Sequence, residues 1–318
     1  MDTNMMASSK WEMGIILVTQ MGVGILGNSF LLCFYNFTLL TGCKVRPTDL
    51  ILNQLVLANS LVLFSRGIPH IMATFGSRNF LSEAGCKFLF YFQRVARGIC
   101  LSMTSLLSAF QAMRLCPHFS SWLELRTRSS KFIGSCVFLS WILHLLVNIS
   151  IILYITSPTH NESYSIKVNY GYCSSLDVAR NVRFVCPAIF FTMDFICLSL
   201  VVWASGSMVV FLLRHKQRVQ HIYSNSHSSR ACAEARAAST ILVLASSFCS
   251  LYSLSALLSI WMSLFAIPGQ WLVDASVVLS LCFPTVSPSV LICSDTRVTH
   301  NIFTSSSRQG KHFLLIWL

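Results

Sequence analysis

Charge is the scarcest property of this chain. Only 11% of its 318 residues are Asp, Glu, Lys or Arg and 54% are hydrophobic, whereas a soluble globular domain carries about 25% charged residues. Acids are rarest, with 11 Asp and Glu against 23 Lys and Arg, for a net charge of +12. The signatures of catalysis are missing too: no metal-ligand spacing, no glycine-rich phosphate loop and no nucleophile beside a base, while the nine His are scattered. The chain does not read as an enzyme, and neither a cofactor nor a metal is expected. No polar stretch is long enough for a second, soluble domain. No internal repeat of the kind that builds transporters is visible.

Long apolar runs fill the sequence instead. Seven lie near residues 13–37, 49–75, 88–114, 131–156, 184–213, 237–266 and 270–292, each reaching the ~20 residues that cross roughly 30 Å of hydrocarbon. A backbone in lipid must satisfy its own hydrogen bonds, and these runs are too long for barrel strands, so helices are expected. The chain reads as an all-α membrane protein, a seven-transmembrane helix bundle forming one domain over residues 1–318. Residues 293–318 form a short tail ending in HFLLIWL, a segment able to rest on the bilayer. The first run follows only MDTNMMASSKWE and is too long for a signal-peptide core, so it is expected to act as its own insertion signal.

Basic residues then set the orientation. Of the Lys and Arg outside the spans, fourteen fall on one side, among them Lys44, Arg126, Arg214 and Arg297, and six on the other, among them Lys87 and Lys167. The richer side is read as cytoplasmic, which puts the N-terminus outside and the C-terminus inside. The stretch RHKQRVQHIYSNSHSSRACAEARA, residues 214–237, becomes the third inner loop, and the net charge needs no nucleic-acid partner. Of three glycosylation sequons, those at Asn36 and Asn148 fall at the inner end of the first span and within the fourth. Only Asn161 lies in an outer loop and is expected to carry a glycan. Of 13 Cys, only Cys86 and Cys173 lie clearly in outer loops, where the compartment is oxidising and a disulfide between them is expected.

Seven spans with an outside N-terminus and such a disulfide suggest a G-protein-coupled receptor. More narrowly, HKQRVQHI (215–222), EARA (234–237), SLLSAFQA (105–112) followed by Pro117, and FPTVSPSVLI (283–292) together resemble the vomeronasal type-1 receptor family over essentially the whole chain. One departure is SSRACAEARA, where similar receptors carry Ser-Pro pairs before EARA. Compared with rhodopsin-like receptors generally, Gly27-Asn28 matches their first span, and Asn59 stands where an Asp usually helps bind sodium. Ala109-Phe110-Gln111 replaces the acidic-Arg-Tyr motif, and Ser287-Pro288 replaces Asn-Pro, leaving Pro288 as the element that frees a carbonyl and permits a kink. The sixth span lacks the usual proline.

Charges within spans carry the functional signal, because they are costly there unless paired or wet. Arg66 and Asp274 read as solvated helix ends that snorkel to the outer interface. Arg94 and Arg97, i and i+3 on one helix face, read as pocket residues. Eight to eleven residues beyond Cys86 at about 1.5 Å each, they lie roughly 12–17 Å further in. Asp194, seven residues beyond Pro187, lies at about 10–14 Å by the same rise. Similarity of fold would bring the third and fifth spans together there, pairing Asp194 with one arginine and leaving the other for a polar ligand group. His144 reads as a hydrogen-bonding residue of the bundle.

The resemblance implies a chemosensory receptor in the plasma membrane, multi-pass, binding a small pheromone or odorant in the outer half of the bundle and activating a heterotrimeric G protein, of the inhibitory type. Arg214, Lys216, Arg218 and Arg230 are expected to face that G protein, with Arg214, Arg218 and His221 along one side of a helical extension of the fifth span, or to meet anionic membrane lipids. A type 2 taste-like receptor shares the missing motifs but not HKQRVQHI and EARA. A small transporter or channel, the competing class, would place acids and broken helices near the midplane, paired between halves.

Overall fold

The computed structural model describes residues 2–42, 46–77, 80–115, 130–153, 155–156, 166–169, 172–176, 180–221, 229–264 and 270–295. Its helices are α1 (Asp2–Thr41), α2 (Pro47–Val62), α3 (Ile68–Thr74), α4 (Glu83–Leu115), α5 (Ser130–Val147), α6 (Arg180–His221), α7 (Ser229–Leu264) and α8 (Gln270–Ser294). A π-helical turn over Leu63–Gly67 joins α2 to α3, so these eight segments form the seven rods expected from the apolar runs.

The local chemistry explains where the rods begin, widen and end. Pro47 stands in the first turn of α2, where its missing N–H is no loss. The buried Asp49 carboxylate there accepts the Arg46 N–H at 2.8 Å. Pro69 has no N–H to offer the carbonyl of Ser65 one turn earlier, and its ring crowds that carbonyl. The backbone widens into the π-turn at this point, a feature typical of such interruptions. α5 stops at Val147 and passes through a 3₁₀ turn (Asn148–Leu153) into a two-residue strand, Ile155–Thr156, so the fourth helix is shorter than the apolar run to residue 156 suggested. Asn148 is buried, and its side-chain amide donates to the His144 carbonyl at 2.7 Å, satisfying a group that the ending helix leaves open.

That strand belongs to a small sheet that hydropathy does not reveal. β1 (Ile155–Thr156), β3 (Ser174–Leu176) and β2 (Ile166–Asn169) lie antiparallel in that order, with Ile155 opposite Ser175 and Asn169 opposite Ser174. Cys173 immediately precedes β3 and is disulfide-bonded to Cys86 in the first turn of α4. Ile155, Tyr172 and the two cysteines are buried together against Leu81, Leu89 and Phe90. The sheet is thereby pinned across one end of the bundle.

α4 runs through the centre, with Val95, Ala96, Ile99, Leu101, Met103 and Leu107 at most 1% exposed. Large apolar side chains elsewhere face outward, including Leu26, Phe138, Phe195, Val202 and Trp271. In water such a surface would drive aggregation; around a transmembrane bundle it is the lipid contact. Five described stretches are long and apolar enough to cross a bilayer: Trp11–Thr41, Pro47–Thr74, Lys131–Ile152, Thr192–Arg214 and Trp271–Cys293. α7 contributes a shorter apolar stretch, Ser239–Ser255, and α4 is more polar because it carries Gln93, Arg94 and Arg97, whose side chains border interior cavities.

The first, second and seventh rods meet through the residues that resembled rhodopsin-like motifs. Pro288 removes the N–H that would have bonded the carbonyl of Pro284 four residues earlier, and Asn28 supplies the donor instead, its Nδ2 lying 2.8 Å from that oxygen. Asn59 donates to Ser287 Oγ at 2.9 Å and accepts from the Cys100 thiol at 3.2 Å. Gly27 lets the rods approach, for a Cβ there would lie 2.8 Å from Pro288 Cβ. Gly27→Ala is therefore expected to lower stability by about 1–3 kcal/mol, as overpacking typically does, read as a lower melting temperature of the detergent-solubilised chain. An unchanged melting temperature would show that this approach is not tight.

Candidate functional site

Helical spacing on α4 presents two polar faces. Gln93, Arg97 and Cys100, at i, i+4 and i+7, border the space beside α7 and α8, while Arg94 and Arg97 border the space beside α5 and α6, next to Gly98. A cavity opens on each side. The larger is bounded by Arg66 at the π-turn, Gln93 and Arg97 on α4, Tyr252 and Ser255 on α7, and Ser280 on α8. Its apolar wall is made by Phe248, Leu251, Leu279 and Phe283. About 40 Å³ of it is open to the centres of water-sized molecules. The smaller, between Arg94, Arg97, His144, Asn148, Asp194 and Tyr252, offers about 10 Å³, enough for about one water.

The charges between the two cavities are linked through one carboxylate. Arg94 Nη2 donates to Asp194 Oδ2 at 3.5 Å, with the two side chains 27% and 15% exposed. The Tyr252 hydroxyl donates to the same oxygen. Arg97 lies over the Tyr252 ring, its guanidinium carbon 4.5 Å from the centroid, a cation–π arrangement. Asp194 thus joins α4 to α6 and α7, and Arg97, which lines both cavities, makes no ion pair or hydrogen bond among the described residues. Of the three residues singled out from the sequence, Arg94 and Asp194 are brought together and Arg97 is the one facing the larger space.

Two readings of single charges are corrected. Arg66 does not snorkel: it donates to Ser276 Oγ at 3.0 Å and lines the larger cavity. Asp274 meets the buried His70, Oδ1 to Nε2 at 3.0 Å. Arg66 lies in the π-turn and His70 just beyond it, so the end of the second rod presents both to α8, where Ser276 and Asp274 meet them. His144 bonds within the bundle as expected, its Nε2 2.8 Å from Ser102 Oγ, and Gly98 makes room for it, since a Cβ there would collide with the imidazole ring.

Tyr252 is the residue that reading the charges missed. A usable signal exists, because a tyrosine hydroxyl inside a bundle needs a hydrogen-bond partner, and the acids within the spans are few. At the other end, α6 continues to His221, so Arg214, Lys216, Arg218 and His221 do lie on a helical extension, about 50–60 Å along α6 from Arg180 at 1.5 Å per residue. Arg230 is the second residue of α7. Asn161 and the side chains of Lys216, Arg218, His221 and Arg230 lie outside the described residues.

A seven-rod bundle with a disulfide-pinned cap and an interior cavity defines a class, and the chain matches the crystal structure of squid rhodopsin with a TM-score of 0.72. That match covers 95% of this chain and 86% of rhodopsin at 14% identity, so the fold is that of seven-helix G-protein-coupled receptors. Residues 11–305 match the vomeronasal organ pheromone receptor family, and the chain belongs to that family. It is 49% identical to vomeronasal type-1 receptor 1 of Homo sapiens, over 97% of this chain and 87% of that protein. It is 42% identical to the human vomeronasal type-1 receptor 3, over 92% and 94%. It is 28% identical to olfactory receptor class A-like protein 1 of Danio rerio, over 94% of each. Membership makes the chain a chemosensory G-protein-coupled receptor, a multi-pass protein of the plasma membrane and not an enzyme, with a small-molecule ligand and G-protein coupling.

The shared carboxylate generates a charge-swap test. Asp194→Arg sets three cations together and is expected to lower surface expression and thermal stability, by less than the ~3–5 kcal/mol of a fully buried broken pair because both partners are partly exposed. Adding Arg94→Asp should recover part of the loss. No recovery in either quantity would mean that the two side chains do not depend on each other.

Proposed function

We propose that the receptor binds a compact pheromone or odorant in the larger cavity and passes the event to a heterotrimeric G protein of the inhibitory type. The observation that supports this reading is that four rods share the cavity wall. An occupant touching Phe248 and Tyr252 on α7 and Leu279 and Phe283 on α8 acts on both helices against the fixed α4. Arg94 and Asp194 hold the third, fifth and sixth rods in register behind the cavity, and Arg97 presents its guanidinium to the ligand. Pro288 leaves α8 one backbone bond short, which gives that helix a place to bend.

In this reading the N-terminus and the disulfide-pinned sheet face outward, Asn161 carries a glycan, and residues 1–318 form one seven-transmembrane domain with a short cytoplasmic tail. Arg214, Lys216, Arg218 and Arg230 face the G protein and anionic lipid at the inner end. The inhibitory type rests on the family resemblance.

Two measurements check this. Leu279→Trp should fill the cavity and abolish ligand-evoked nucleotide exchange on the G protein while surface expression persists; a retained response would move the ligand elsewhere. Replacing Arg214, Lys216 and Arg218 together by Gln should leave surface expression intact and weaken that exchange. Unaltered exchange would leave these residues only a topological role, each worth about 1 kcal/mol against anionic lipid.

A further inference from the structure

Building on the cavity reading above, we infer that the ligand is a compact organic carboxylate with an apolar body, its carboxylate held by Arg97 and Gln93. The lining contains two guanidinium groups, those of Arg66 and Arg97, and no Asp or Glu among the described residues. Across the adjoining charge cluster, Arg94 and Arg97 face the single carboxylate of Asp194, which is engaged by Arg94 and Tyr252. Two positive charges against one negative leave one in excess, and it is carried by Arg97.

The geometry at Arg97 selects the kind of anion. The Tyr252 ring covers one face of the guanidinium, but the N–H donors lie in its plane, and a ring face cannot accept all of them. A carboxylate takes two parallel N–H bonds from that planar fork. Gln93 stands one turn earlier on the same face of α4, its Oε1 buried without a hydrogen bond among the described residues; no donor holds the amide in that orientation, and turning it over about its last torsion puts the Nε2–H donors there, which a carboxylate oxygen can accept. Opposite these groups the wall is aromatic and aliphatic, with Phe248, Leu279 and Phe283. An amine would be repelled by Arg97. An alcohol or ketone would accept a hydrogen bond and leave the excess charge in place. The cavity's size holds the apolar body to a few carbons or one ring.

The test uses the full chain in lipid nanodiscs with benzoate and 3-methylbutanoate as probes, against the near-isosteric benzamide and 3-methylbutanamide. Melting temperature and G-protein nucleotide exchange are read over the same concentration series for each probe. The acids should raise the melting temperature and evoke exchange at concentrations about tenfold or more below the amides, as expected when a charge-assisted bond replaces a neutral one. Arg97→Gln should abolish that preference, and Arg97→Lys should keep part of it. Should Arg97→Gln fail to reach the surface, Gln93→Leu, which changes no charge, should weaken the acids more than the amides, because its bond to an ionised acceptor is the stronger. Amides matching or exceeding the acids, or an acid preference that survives Arg97→Gln, would overturn the carboxylate while leaving the cavity reading, which Leu279→Trp tests separately. No shift with any of the four probes would also overturn it.

Discussion

A polar group inside a lipid-facing bundle is costly unless it finds a partner within the bundle or in a cavity, and the architecture follows from how that demand is met. The carboxylate of Asp194 serves Arg94 from one side and the Tyr252 hydroxyl from another, so a single acid ties α6 to both α4 and α7. The same demand organises the opposite wall. Pro288 exposes a carbonyl that Asn28 covers, and Asn59 engages Ser287 and Cys100. In water these bonds would be worth little, because solvent offers equal partners; without solvent, an unmet donor or acceptor is expensive. The bonds therefore hold the rods at fixed rotations, and fixed rotations decide which side chains border a cavity.

Much of this is legible in the sequence, for identifiable reasons. Crossing a bilayer needs about 20 apolar residues whatever their order, so the rods announce themselves by length and composition. The disulfide is legible because Cys86 and Cys173 alone stand clearly in outer loops. The approach of Arg94 to Asp194 follows from counting residues inward from fixed ends, since helical rise converts sequence distance to depth.

What is not legible depends on rotation and on short-range competition. Depth alone makes Arg66 and Asp274 look like helix ends; the π-turn before Pro69 rotates the second rod and turns Arg66 inward, which no hydropathy window registers. The end of α5 and the strand at Ile155–Thr156 are decided by pairing with β3, a partner twenty residues away. Tyr252 escapes notice because tyrosine is ordinary in membrane spans and its importance comes from the acid and the arginine it touches.

The polar residues of the central helix also bear on how the chain is made. α4 contains Gln93, Arg94 and Arg97 within one and a half turns, and it is not among the stretches apolar enough to cross a bilayer unaided. Each arginine near a helix centre opposes insertion by about 2.5–3.5 kcal/mol, and Asp194, the acid that compensates Arg94, is made about a hundred residues later. α4 must therefore enter the membrane beside already inserted neighbours, α2 and α3, and wait with its guanidinium groups hydrated until α6 emerges. The helix around which the finished bundle is built is thus one that cannot hold its own place in the membrane until its later partners arrive.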